Sequence, residues 1–90
     1  MKAAKLTVSG RVQGVGYRNY IDTKATHLNL KGYVKNMPNG NVEIWIEGFE
    51  SEILEMIDMS RRGSLFSKVT NLHVDWSEPT YTFERFQITD

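Results

Sequence analysis

Apolar and polar side chains alternate over residues 2–9, with Ala4, Leu6 and Val8 on one side and Lys5, Thr7 and Ser9 on the other. A period of two marks a strand with one buried face. Gly10 then interrupts the alternation and opens a loop with further glycines at 14 and 16. From about residue 17 to 28 the spacing turns helical, with Ile21, Ala25 and Leu28 at i, i+4 and i+7. Asn29 stands where a left-handed residue would end that helix. Residues 32–37 and 41–47 are two short strand-like runs around Pro38-Asn39-Gly40, and Asn-Gly between such runs signals a hairpin. Val34, Val42, Ile44 and Ile46 share one side of it. A second helix is expected over 50–62, acidic at Glu50 and Glu52 and basic at Arg61-Arg62, as the helix dipole favours. Ile53, Leu54 and Ile57 form its buried stripe, and Gly63 lies past its end.

Alternation returns over 70–77, with Leu72, Val74 and Trp76 expected inward, and Glu78-Pro79-Thr80 turns the chain into a last strand over 81–88. There the apolar spacing slips from Tyr81/Phe83 to Phe86/Ile88, an extra residue that reads as a bulge near Glu84-Arg85. The order is strand-helix-strand-strand-helix-strand plus a C-terminal strand. It predicts an α+β chain with two helices on one face of a mostly antiparallel sheet of four core strands, the ferredoxin-like split arrangement. Ninety residues allow one core, and no linker or repeat divides them, so residues 1–90 read as a single domain.

Charge refines this picture only a little. The chain is neutral overall, yet residues 1–40 carry seven positive side chains against Asp22 alone (+6), while residues 41–90 carry four against ten (−6). The first half suits an anionic partner, and two differently charged solvated faces would give the same split. Cysteine is absent, which excludes disulfides, thiolate catalysis and Cys-based zinc sites. No apolar run exceeds the three residues Ile44-Trp45-Ile46, so neither a membrane span nor the core of a signal peptide is expected, and the cytosol is the expected compartment.

The sharpest local feature is Gly10-Arg11-Val12-Gln13-Gly14-Val15-Gly16-Tyr17-Arg18, after a strand and opening a helix. Its glycines let successive N–H groups converge at a helix N-terminus, a geometry that suits a phosphate or carboxylate. The glycine spacing is not that of a dinucleotide fingerprint, since Asn19 replaces the last glycine, and no Gly-Lys-Ser/Thr makes a nucleotide P-loop. Val12-x5-Arg18 has the spacing of a cysteine-phosphatase cradle with valine in the nucleophile's place. A phosphate can be held there but not attacked by a thiolate. A cation in a first helical turn opposes the dipole by up to about 1 kcal/mol, a penalty that an anion bound at Arg18 would reverse. The alternatives for Arg18 are a structural ion pair or an exposed side chain. Asn36, beside the turn, is a backbone-capping candidate or a site residue.

The motif at 10–18, followed fourteen residues later by Gly32-Tyr33-Val34-Lys35-Asn36, then Gly40-x-Val42 and Gly48, resembles the two signature motifs of the acylphosphatases. The resemblance spans nearly the whole chain. It implies a ferredoxin-like α/β sandwich of core strand order 4-1-3-2 and hydrolysis of acyl phosphates to a carboxylate and inorganic phosphate, the latter as product or inhibitor. It further implies that Arg18 and the amides of Gln13, Gly14, Val15, Gly16, Tyr17 and Arg18 hold the phosphoryl group, that Asn36 positions the attacking water, and that no covalent intermediate or cofactor is involved. Tyr33 in place of a frequent Trp, Asn29 in place of a frequent Gly, and the proline-free Ser64-Leu65-Phe66-Ser67 depart from the family pattern and bear on loop shape and substrate fit.

Other features point to little chemistry. His27 and His73 share no metal-ligand spacing, and the acidic residues fall on strand edges and a helix N-terminus, so no metal site and no carboxylate pair are expected. Tyr33, Trp45, Lys5 and Lys35 should face away from the helices, where RNA-recognition domains of this topology stack bases. Lys31-Gly32-Tyr33 begins like their motif and then fails at Val34 and Lys35. The expected partner is therefore a small acyl phosphate, with no nucleic acid and a monomer as the default. The alternatives are a non-catalytic anion-binding module or an RNA-binding one.

Overall fold

A computed structural model describes all 90 residues. Five strands and two helices follow in the order β1 (Lys2–Arg11), α1 (Tyr17–His27), β2 (Lys31–Asn36), β3 (Val42–Gly48), α2 (Glu50–Arg62), β4 (Lys68–Ser77) and β5 (Phe86–Thr89). They form one sheet ordered β4-β1-β3-β2-β5. β3 lies at its centre, and β1 is an inner strand between β4 and β3, antiparallel to both. β2 pairs antiparallel with β3 across the hairpin, and β5 pairs parallel with β2. The four core strands thus take the expected 4-1-3-2 order, with the C-terminal strand added outside β2.

Alternation places Ala4, Leu6 and Val8 of β1, Val34 of β2, and Val42, Ile44 and Ile46 of β3 on one face, all fully buried. Tyr17, Ile21 and Ala25 of α1 and Ile53, Met56 and Ile57 of α2 close over them. The hairpin turn is held by Gly40 N–H donating to Met37 O at 3.1 Å and Met37 N–H donating to Asn41 O at 2.8 Å. Asn29 takes the left-handed conformation (φ 59°) that ends α1.

Five expectations need correction. β1 does not stop at Ser9: it runs to Arg11, and a register shift between Ser9 and Gly10 carries the pairing with β4 past the glycine. The last strand is half the expected length, because residues 80–83 are held by side-chain hydrogen bonds rather than a ladder, and Tyr81 has φ 57°. The apolar slip at Glu84-Arg85 therefore marks the start of β5 and not a bulge. Leu54 is 51% exposed, since the inner stripe of α2 passes through Met56 and Ser60 instead. Trp76 is 48% exposed, because β4 is an edge strand and its end projects beyond the helices.

The strand directions bring the loop at 12–16, the hairpin turn, the connection at 63–67 and the C-terminus to one end of the sheet. Residues 80–83 cross the opposite, helix-free face. Glu47, buried on that face, accepts hydrogen bonds from Trp45 Nε1 (2.7 Å), Thr80 N–H (3.0 Å), Thr80 Oγ1 (2.7 Å) and Tyr81 N–H (3.0 Å). Tyr33 donates to Glu43 Oε2 at 2.6 Å and packs against Phe83, ring centroids 6.0 Å apart. Burial and the Glu43 carboxylate push the Tyr33 phenol above its ordinary range.

Candidate active site

Gly14 (φ 73°) and Gly16 (φ 80°) both adopt left-handed conformations. A Cβ at either would meet open space, so glycine is needed there for the turn of the backbone and not for room. The two reversals wrap the chain from the end of β1 onto the start of α1. No backbone or side-chain acceptor of the protein takes up any amide from Gln13 to Asn19; the first intrahelical bond of α1 is Tyr20 N–H to Gly16 O at 3.1 Å. The helix has no side-chain cap and no acidic residue in its first turn. Unpaired donors and the positive end of the dipole therefore meet at one place.

Arg18 stands in that first turn. Its Nη1 donates a long hydrogen bond, 3.4 Å, to Thr89 O of β5, and it pairs with no carboxylate; the chain's ion pairs are Lys2–Glu50, Lys35–Glu43, Arg62–Asp58 and His73–Asp75. Most of the guanidinium's five donors are left unspent. Arg18 lines a cavity of about 140 Å³ together with Val12, Gly14, Gly16, Asn19 and Ile88. The wall offers no carboxylate, imidazole or thiol. Tyr17, which also reaches it, spends its hydroxyl in the core on Ser60 O at 2.8 Å, and burial pushes that phenol far above its ordinary range. With Tyr20 Oη donating to Met59 O at 2.9 Å, this bond fastens the first turn of α1 to the last turn of α2.

Asn36 ends β2 at the same end of the sheet, but it does not form the cavity wall. It makes no capping bond: its Oδ1 is buried without a partner. The turn-capping alternative for Asn36 is thereby set aside. The loop and the end of β2 are joined by a contact that the sequence does not advertise. Gln13 Nε2 donates to Met37 O at 2.9 Å and to Asn41 O at 2.8 Å. Only the backbone amide of Gln13 was expected to matter, and no periodicity or spacing signals a side chain that reaches 24 and 28 residues onward. No three His, Asp or Glu side chains gather anywhere as a metal-binding group.

Such a place favours an oxyanion. Converging neutral N–H groups and one planar cation can bind several oxygens at once, and no neighbouring negative charge competes.

A family model described as Acylphosphatase matches residues 4–88 of the chain. The sequence is 39% identical over 88 residues to an acylphosphatase of Syntrophobacter fumaroxidans, covering 98% of this chain and 91% of that one. It is 40% identical over 84 residues to an acylphosphatase of Bacillus subtilis, covering 93% and 92%. The crystal structure of acylphosphatase from Bacillus subtilis superposes with a TM-score of 0.96 at 39% identity over the whole of both chains. The chain also resembles a part of HypF from T. kodakarensis, with a TM-score of 0.85 and 31% identity over 100% of this chain and 12% of that one.

Proposed function

Because the chain belongs to the acylphosphatase family, we propose that it hydrolyses the carboxyl–phosphate bond of acyl phosphates, without a metal and without a covalent intermediate. In this reading the amides of Gln13 to Arg18 and the Arg18 guanidinium hold the phosphoryl oxygens, and Asn36 orients the attacking water. The observation that carries it is the uninterrupted run of unpaired amides at the start of α1, beside an arginine that no carboxylate neutralises.

The chemistry asks little more of the protein. An acyl phosphate expels a carboxylate whose conjugate acid has a pKa of roughly 4, so no general acid is needed at the leaving oxygen. The cavity wall lacks a nucleophile, which favours direct attack by water. As the phosphoryl group passes through a loose transition state, negative charge stays spread over its equatorial oxygens, where fixed amides and Arg18 stabilise it. The new P–O bond forms as the bond to the acyl oxygen breaks, and the water's proton passes to a phosphate oxygen, giving carboxylate and dihydrogen phosphate. Asn36, at the end of β2 beside the loop, supplies the side-chain amide that would hold that water.

The test is phosphate release from benzoyl phosphate in the presence of EDTA. Wild type turns over undiminished by the chelator. Arg18→Ala loses both turnover and competitive inhibition by inorganic phosphate, with a loss of about 10²–10³ in kcat if Arg18 acts like a single oxyanion donor. Asn36→Ala loses turnover and keeps phosphate inhibition. Near-normal hydrolysis by Asn36→Ala would remove Asn36 from the mechanism.

A further inference from the structure

Gln13 spends both protons of its carboxamide nitrogen on the β2–β3 hairpin, at Met37 O and Asn41 O. Met37 directly follows Asn36, and Asn41 directly precedes Val42, the residue opposite Asn36 in the β2–β3 register. One side chain of the phosphate-loop segment therefore grips both strands of the hairpin at the level of Asn36. The hairpin does not depend on this grip to close, because Gly40 N–H already satisfies Met37 O and Met37 N–H already satisfies Asn41 O. What Gln13 adds is a fixed separation between the loop and the end of β2. Asn36 gains no such restraint from its own side chain, whose Oδ1 has no partner, so the backbone at the end of β2 decides where it points.

We propose that Gln13 is a positioning residue: through its side chain it sets the distance between a phosphoryl group held by the loop and a water held by Asn36. The proposal rests on the roles assigned above to the loop and Asn36. In-line attack is sensitive to this distance, since a misplacement of about 1 Å can cost roughly 10²-fold in rate. Neither half-site is dismantled when the link is cut, so binding and turnover should separate.

The experiment uses Gln13→Met, which matches the length of the side chain and has no donor, and Gln13→Asn, which keeps the donor but falls one methylene short. With benzoyl phosphate, each lowers kcat about tenfold or more, while the inhibition constant of inorganic phosphate stays within about twofold. In an Asn36→Ala background, Gln13→Met changes kcat by less than about twofold, because a residue that acts through Asn36 has nothing left to position. The proposal is overturned by kcat within about twofold of wild type in either folded single variant. It is also overturned by an equal loss in both backgrounds, or by phosphate inhibition that weakens in step with kcat. Near-normal turnover of Asn36→Ala alone would overturn the role of Asn36 and this proposal with it, whereas the Gln13 outcomes leave that role standing.

Discussion

Glu47→Gln is the substitution whose effect follows most directly from the geometry. The carboxylate holds residues 80–83 against the helix-free face: Oε2 accepts from Trp45 Nε1 and from the backbone and hydroxyl of Thr80, and Oε1 accepts from Tyr81 N–H. Glutamine keeps the shape but only one acceptor oxygen. Placed at the Oε2 position, that oxygen keeps three bonds and turns the new NH2 toward Tyr81 N–H; placed at Oε1 it keeps one. At least one part-buried N–H is then left facing another donor, at about 1–3 kcal/mol, and the remaining bonds lose the strength that the negative charge gave them. A net loss of about 1.5 kcal/mol corresponds to a fall of roughly 6–12 °C in Tm for a domain of this size.

The loss also depends on pH. Burial works to raise the Glu47 pKa, but the hydrogen bonds from the Thr80 backbone, Trp45, the Thr80 hydroxyl and Tyr81 outweigh it and hold the carboxyl below its ordinary value. A depressed pKa stabilises the fold above the unfolded value of about 4.3, and that contribution disappears as pH falls through the folded value. The Tm gap between wild type and Glu47→Gln should therefore be full at pH 7 and shrink below about pH 4. Thermal melts followed by circular dichroism between pH 3 and 8 measure it directly. A gap under about 2 °C at pH 7, or one that persists undiminished at pH 3, would refute the assignment of Glu47 as the ionised anchor of this segment.

Two further outcomes follow from the site. Gly16→Ala places a side chain at φ 80° with nothing to collide with, so it should cost only about 1–2 kcal/mol in stability while lowering acyl phosphate turnover far more, measured by paired melts and initial rates. Tyr17→Phe keeps the ring in the core and leaves Ser60 O without its donor. It should lower Tm by roughly 4–8 °C, and the loosened first turn of α1 should raise the inhibition constant of inorganic phosphate.

Much of this was legible in the sequence where a residue's environment is set by its neighbours. The alternation of β1 and β3, the helical stripe of α1 and the hairpin at Asn39-Gly40 all depend on local periodicity, and all are found. The glycine loop and Arg18 were legible too, because left-handed turns and a cation misplaced on a helix dipole leave compositional marks. The failures have a common cause in distance along the chain. The segment before β5 looks like a strand by composition, but Glu47, more than thirty residues earlier, captures its amides. Leu54 and Trp76 are apolar at plausible positions, yet which stripe of α2 faces inward and how far β4 projects past the helices are decided by packing. The side chain of Gln13 reaches across the chain in the same way.

The position of β1 inside the sheet, between β4 and β3, has a consequence for how the chain is made. It is the first strand to be synthesised, yet its partners arrive late: Ala4 pairs with Ile46 of β3 and with Trp76 of β4. At synthesis rates of about 5–20 residues per second, Ala4, Leu6 and Val8 wait seconds for the strands that cover them. Closing such long loops before any contact rewards them is slow, which places folding toward the millisecond-to-second end of the scale. The hairpin of β2 and β3 closes over only a few residues and brings the first strand partner of β1, β3, as part of a ready-made unit.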